Sequence, residues 1–181
     1  MKKIALASAT LALALSAGSA FAANSLVKGT FGVNVPVQNN QTDNFMINGK
    51  YLVTNDLAVL AGLGVRIAGG DAKGTDIGVS GGIRKYLKTD DFAPFVGGRL
   101  IYTSTNDSNT KDLSVMAEAG AEYFLAKQFS IEGRVGFGYT SNEVQTSTTI
   151  IVGGVPFTST STAKKTYIGT GTLGLSANFY F

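Results

Sequence analysis

The sequence predicts an all-β chain: an eight-stranded antiparallel up-and-down barrel that crosses a membrane, preceded by a cleaved signal peptide. Three observations predict it. Two-residue alternation of apolar side chains recurs in eight segments, close to the length of about 9 to 11 residues that a tilted membrane strand needs. The connections between the segments alternate short and long. The charged residues inside the segments share the face opposite the apolar rows.

The first residues set the compartment. Met1-Lys2-Lys3 is a short basic start, Ile4 to Ala17 carries no charge, and Ala20-Phe21-Ala22 supplies small residues at both positions that a signal peptidase reads. The apolar run is too short for a comfortable spanning helix. Cleavage is expected after Ala22, leaving residues 23–181 as one barrel domain. Lys2 and Lys3 go with the leader, so of 15 basic residues 13 remain against 12 acidic ones, and no case for a nucleic-acid partner survives. The chain has no cysteine, which excludes disulfides and thiolate chemistry. It also has no histidine or tryptophan, and its 23 glycines and 3 prolines accompany many Thr, Val and Tyr, which favour strands.

In chain order, Val27, Gly29, Phe31, Val33 and Val35 share one face of the first segment, with Lys28, Thr30, Gly32 and Asn34 on the other. In the second, Phe45, Ile47, Gly49, Tyr51 and Val53 oppose Met46, Asn48, Lys50 and Leu52. The third has an apolar row from Leu57 to Ile67, with Gly62, Gly64 and Arg66 behind it. Ile77, Val79, Gly81 and Ile83 oppose Asp76, Gly78, Ser80, Gly82 and Arg84. The fifth segment sets Pro94, Val96, Gly98, Leu100 and Tyr102 against Phe95, Gly97, Arg99 and Ile101. The sixth sets the row from Leu113 to Tyr123 against Ser114, Met116, Glu118, Gly120 and Glu122. In the seventh, Ile131, Gly133, Val135, Phe137 and Tyr139 oppose Glu132, Arg134, Gly136 and Gly138, and the last strand runs from about Tyr167 to Phe181.

Thr54 to Asp56, Lys88 to Asp91 and Ala126 to Gln128 are short polar connections, whereas Pro36 to Asn44, Ala68 to Gly74, Ser104 to Asp112 and Thr140 to Thr166 are longer. An even strand number with short periplasmic turns and long outer loops is the pattern of bacterial outer-membrane barrels. A soluble barrel would alternate too, but with its apolar face inward. The charges separate the two. Lys28, Lys50, Arg66, Arg84, Arg99, Glu118, Glu122, Glu132 and Arg134 lie opposite the apolar rows, where they are expected to pair inside the barrel. The apolar rows carry no charge in their central parts, as lipid requires, since a midplane charge facing lipid costs about 2 to 4 kcal/mol. Tyr51 and Tyr123 at one end, and Phe45, Tyr102, Tyr139 and Tyr167 at the other, fall where aromatic belts are favourable.

The chain closes on Leu173-Gly174-Leu175-Ser176-Ala177-Asn178-Phe179-Tyr180-Phe181. With the leader and the eight segments, this resembles the small outer-membrane barrel family that includes OmpX and the membrane domain of OmpA. Pro94 to Arg99 and Gly120 to Leu125 look like that family's fifth and sixth strands. The resemblance covers the whole of residues 23–181 and implies that Phe179 and Phe181 are read by the barrel-assembly machinery. It also implies adhesion to a host surface for some members; fold alone does not settle function.

Little catalytic chemistry is available. Without histidine or cysteine, most nucleophilic and acyl-transfer constellations are absent, including the histidine used by outer-membrane lipid acyltransferases and deacylases on similar scaffolds. Asp71 beside Gly69-Gly70, and Asp107 among Asn106, Ser108 and Asn109, read as turn residues rather than cation ligands. Gly62-Leu63-Gly64 lacks the strand-loop-helix setting of a phosphate site. No catalytic residue, cofactor or metal is expected. The interior charges are expected to plug the barrel, with a narrow ion pathway as the alternative. In the last loop, Ile150, Ile151, Val152, Val155 and Phe157 surround Gly153-Gly154, a hairpin signal, and predict a protruding hairpin whose apolar tip either packs over the barrel mouth or meets a partner. The leading expectation is a non-enzymatic outer-membrane protein of a Gram-negative bacterium. Its partners would be outer-membrane lipid, the assembly machinery and a host or surface ligand at that tip. The alternative is a small pore or carrier for ions or small apolar molecules, and a weaker third class is an enzyme acting on lipid through its loops.

Overall fold

Strands form where the alternation runs without interruption. In the computed structural model, which describes residues 24–37, 46–68, 74–105, 110–153 and 155–181, they are β1 (Phe31–Pro36), β2 (Met46–Leu52), β3 (Leu57–Ala68), β4 (Gly74–Tyr86), β5 (Phe92–Thr105), β6 (Thr110–Ala126), β7 (Phe129–Val152) and β8 (Val155–Tyr180). Each pairs antiparallel with the next, and β1 also pairs with β8, so the sheet closes into a barrel with strand order β1 to β8. The leader (1–22), Phe45, Asp71 and the stretch around Asp107 lie outside the described residues.

The first strand starts later than the alternation suggests. Gly29 has φ of 90°, a conformation that favours glycine, and the chain turns there before entering the sheet at Phe31. Residues 24–30 instead cross the turn side of the barrel, the end bearing the short connections; the other end is the loop side.

The period of two does the sorting. Outward positions on β3 to β5 carry Leu63 (71% exposed), Val65, Ile67, Ile83 and Leu100, and Val115, Val135 and Leu173 continue the apolar wall around β6 to β8. Exposed rings stand toward both ends of this wall. Tyr51, Phe92 and Tyr123 are near the turns, while Tyr102 and Tyr139 pair with Leu113 and Val115, ten and eight residues before Tyr123 on β6. The exposed lysines of these rows, Lys85 and Lys111, sit at strand ends. At the β2–β3 turn, hydrogen bonding from Lys85 first, and then from Thr54 (2.7 Å), holds the Asp56 carboxyl below its usual range.

The inward faces stack in layers. At the turn side an apolar floor contains Leu52, Ala93, Phe95, Phe124 and Tyr180; above it lies a layer of charges, and above that Met46, Ile101 and Met116 form a second apolar cluster. Toward the loop side polar contacts return, with Asp112 accepting from Asn142 and from Thr103 (3.5 Å).

β7 and β8 outrun the wall. The last β6–β7 pair is Thr110 with Val144, yet β7 and β8 stay paired to Val152 and Val155. The further eight residues of β7 carry the hairpin about 27 Å farther along the strand at about 3.4 Å per residue.

Gly138 marks a close approach in the wall: a Cβ there would lie 2.1 Å from the Val115 carbonyl oxygen, whereas one at Gly133 would meet nothing within 4 Å. Gly138→Ala is therefore expected to lower unfolding stability by about 1–3 kcal/mol, the usual penalty of overpacking, and Gly133→Ala to change it by less than about 0.5 kcal/mol. Urea titration of the refolded barrel measures both, and equal effects would remove the close approach as a constraint.

Candidate functional site

Six strands point charged or hydrogen-bonding side chains at the centre of the charge layer, because Lys50, Arg84, Arg99, Glu118, Glu122, Glu132, Arg134 and Asn178 all occupy inward positions. β1 adds Asn34, whose Nδ2 donates to Asn178 Oδ1 at 2.7 Å. The inward residues of β3, among them Ala58, Leu60 and Gly62, leave room for these longer side chains; a Cβ at Gly62 would meet Asn48 Oδ1 at 2.2 Å.

Each carboxylate has a distinct set of partners. Glu122 accepts from Lys50 Nζ at 2.9 Å and from Tyr86 OH at 2.8 Å, and also from the Ser130 and Tyr180 hydroxyls. Tyr180 OH in turn accepts from Lys50 Nζ at 2.9 Å, so lysine, tyrosine and glutamate close a small ring of hydrogen bonds. Glu132 takes both arms of the Arg84 guanidinium, at 2.6 and 2.8 Å, the two-point geometry that a planar guanidinium favours. Lys50 Nζ and Asn178 Nδ2 each add a longer contact to Glu132 at 3.4 Å. Glu118 lies 3.1 Å from Arg99 Nε and 3.8 Å from Arg134 Nε. The Arg84 guanidinium also stacks over the Phe95 ring, its Cζ 3.6 Å from the ring centroid, so the apolar floor meets the charge layer through an aromatic face.

All seven charged side chains are buried, and the four cations and three carboxylates form a continuous set of ion pairs across the barrel. The arrangement balances all but one positive charge and fills space. Glu122 and Glu132 spend their lone pairs on fixed donors, whereas Glu118 is held by the charges of Arg84, Arg99 and Arg134.

Two of the nine predicted interior charges do not join. Lys28 is exposed: the turn at Gly29 keeps it out of β1, and its backbone N–H donates to Asn55 Oδ1 at 2.9 Å. Arg66, its side chain 64% exposed, sits near the loop-side end of β3 and pairs with Asp76 across the β3–β4 ladder. Phe179 is half-buried and packs on Phe129 with ring centroids 5.1 Å apart, while Phe181 is exposed and its N–H donates to the Phe31 carbonyl at 2.8 Å. At the hairpin tip, Ile150, Ile151 and Phe157 are exposed, Ile150 pairs with Phe157, and Val152 pairs with Val155 at the turn.

The uncharged members of the site, Tyr86, Ser130, Asn178 and Tyr180, escape a search for charges. Their signal is parity: Tyr86 continues the row of Arg84, and Tyr180 and Asn178 oppose the row of Phe179. Lys50 is placed inside by parity, but its partners follow only from closure, since it meets Glu122 and Glu132 across the interior rather than along neighbouring strands.

No family model matches the chain, and no curated protein matches it.

Glu132→Gln would leave Arg84 buried without its carboxylate and is expected to lower unfolding stability by about 3–5 kcal/mol. The double variant Arg84→Met/Glu132→Met is expected to recover most of that loss, because one cation leaves with one carboxylate and the net charge of the layer is unchanged. A double-mutant cycle in urea with Arg84→Met and Glu132→Met as its single variants checks the coupling; additive effects would mean that the pair does not act as one unit.

Proposed function

We propose that the chain is a non-enzymatic outer-membrane barrel of a Gram-negative bacterium, plugged by its interior ion pairs and active at its loop-side surface. The buried charge layer carries this reading: three carboxylates and four cations, all buried, stand across an interior that eight strands leave just wide enough for side chains. A water-filled path would need some of these groups solvated rather than paired.

The wall supports placement in lipid. Its outward rows are apolar and uncharged through their central parts, and exposed aromatic rings mark both ends. Outer-membrane lipid is then the principal partner, and the barrel-assembly machinery recognises the closing strand at Phe179 and Phe181, as the resemblance to small outer-membrane barrels implies. The hairpin tip with Ile150, Ile151 and Phe157 is the surface offered to an external ligand, since exposed apolar side chains in water are stabilised by a partner.

Three outcomes test the reading. Wild-type barrel in a planar bilayer gives no single-channel steps; stable steps would establish the alternative, a small pore. Leu63→Arg lowers stability in phospholipid vesicles by about 2–4 kcal/mol, the midplane cost of an arginine facing lipid; no loss would mean that this wall does not face lipid. Deleting residues 150–157 leaves folding intact, seen as an unchanged mobility difference between boiled and unboiled protein, and abolishes surface binding.

A further inference from the structure

The turn-side end has a second closure that the ion pairs do not account for. Before β1 begins, residues 24–30 run across this opening. Leu26 is 3% exposed and packs into the apolar floor that includes Leu52, Ala93, Phe95, Phe124 and Tyr180. Asn24 and Ser25 are buried with it. Two side-chain hydrogen bonds hold the far end: Asn24 Nδ2 donates to the Thr89 carbonyl at 2.6 Å and Ser25 Oγ to the Lys127 carbonyl at 2.5 Å. Thr89 lies between β4 and β5, and Lys127 between β6 and β7, so the segment is latched to two turns on other parts of the rim. At its near end Gly29, with φ of 90°, donates to the Leu52 carbonyl at 2.8 Å and turns the chain into the wall.

The holding forces are unlike those of the wall. Each wall strand is bound along its length by ladder hydrogen bonds, whereas Asn24 to Lys28 belong to no strand and are held by one apolar side chain and a few hydrogen bonds. Local opening follows the weakest cooperative unit, and this segment can leave without breaking a strand pair. We infer that Asn24 to Lys28 form a stopper, pivoting at Gly29, that controls entry of water and small solutes from the turn side to the floor of the barrel. It acts in series with the ion-pair layer above, and it rests on the reading of that layer as a plug.

Because the chain contains no cysteine, one introduced thiol reports on the floor without background. Ala93→Cys places it at a fully buried floor position. The rate of its reaction with a small charged methanethiosulfonate is measured on the refolded full chain, with and without Asn24→Ala/Ser25→Ala, which removes the latch and leaves the floor untouched. Unlatching is expected to raise the rate by about thirtyfold, the opening expected from losing two hydrogen bonds of ordinary strength. Leu26→Gly is expected to raise it further. The gel mobility of unboiled protein shows that each variant is folded, and Ala58→Cys is the reporter if Ala93→Cys does not fold. Equal slow rates in latched and unlatched barrels, both electrically silent in a bilayer, would overturn the stopper and leave the plug standing. A latched barrel that conducts would overturn the plug reading instead.

Discussion

Closing eight strands on themselves fixes the width of the interior, and the rest of the molecule follows from that width. Inward side chains from opposite walls touch. A lysine on β2 reaches glutamates on β6 and β7, and a guanidinium on β4 reaches β7. Buried charge in so narrow a space must be compensated at once, because the interior has a low dielectric and little room for water. The hydroxyls of Tyr86, Ser130 and Tyr180 complete this by supplying donors where no further cation fits. The floor of Leu52, Phe95 and Phe124 and the Met46–Ile101–Met116 cluster then close the layer above and below, which strengthens the interactions between them.

Most of the wall is legible in the sequence because the period of two needs no tertiary information: once Leu63 faces out, Gly62 and Gly64 cannot. Which charges lie inside follows from the same parity. Pairing partners are harder to read, since neighbouring strands suggest Arg99 with Glu118 but not Lys50 with Glu122, which depends on closure. Parity also misleads at ends. Val27 and Gly29 continue the alternation of Phe31 and Val33, yet the positive φ at Gly29 takes the chain out of the sheet, and with it Lys28. Arg66 has the right parity but lies too near the loop side to reach the charge layer, and it finds Asp76 instead. Leu26 has no sequence signal of its role, because a single apolar residue before a strand looks like part of that strand.

The two ends of the barrel differ for a physical reason. Short turns at one end hold the rim tightly enough for a few residues to span it, and Thr89 and Lys127 present carbonyls to Asn24 and Ser25 there. At the other end β7 and β8 leave the wall as a two-stranded ribbon. An isolated ribbon of that kind is only marginally stable in water. This one grows from strands already ordered by the barrel, so its register is set before it emerges. Thr149 facing Thr158, with side-chain oxygens 2.9 Å apart, and Ser147 facing Thr160, at 3.2 Å, add cross-strand hydrogen bonds on the way to the apolar tip.

The ion-pair layer does more than fill the bore. Buried ion pairs are often no more stabilising than well-packed apolar side chains of the same volume, so stability alone is a weak reason for them. Register is a better one. A slip of two residues on one strand keeps every side chain on its proper face and so passes the test that apolar patterning imposes. It nevertheless moves each inward group by about 7 Å along the strand. Such a slip of β6 would carry Glu122 away from Lys50, Tyr86, Ser130 and Tyr180 together, leaving a carboxylate buried without donors. Apolar patterning selects which face points inward, and the ion pairs select among the registers that patterning leaves open. In a closed barrel each register constrains the next around the ring, and one layer of charges can thereby specify the alignment of the strands that contribute to it.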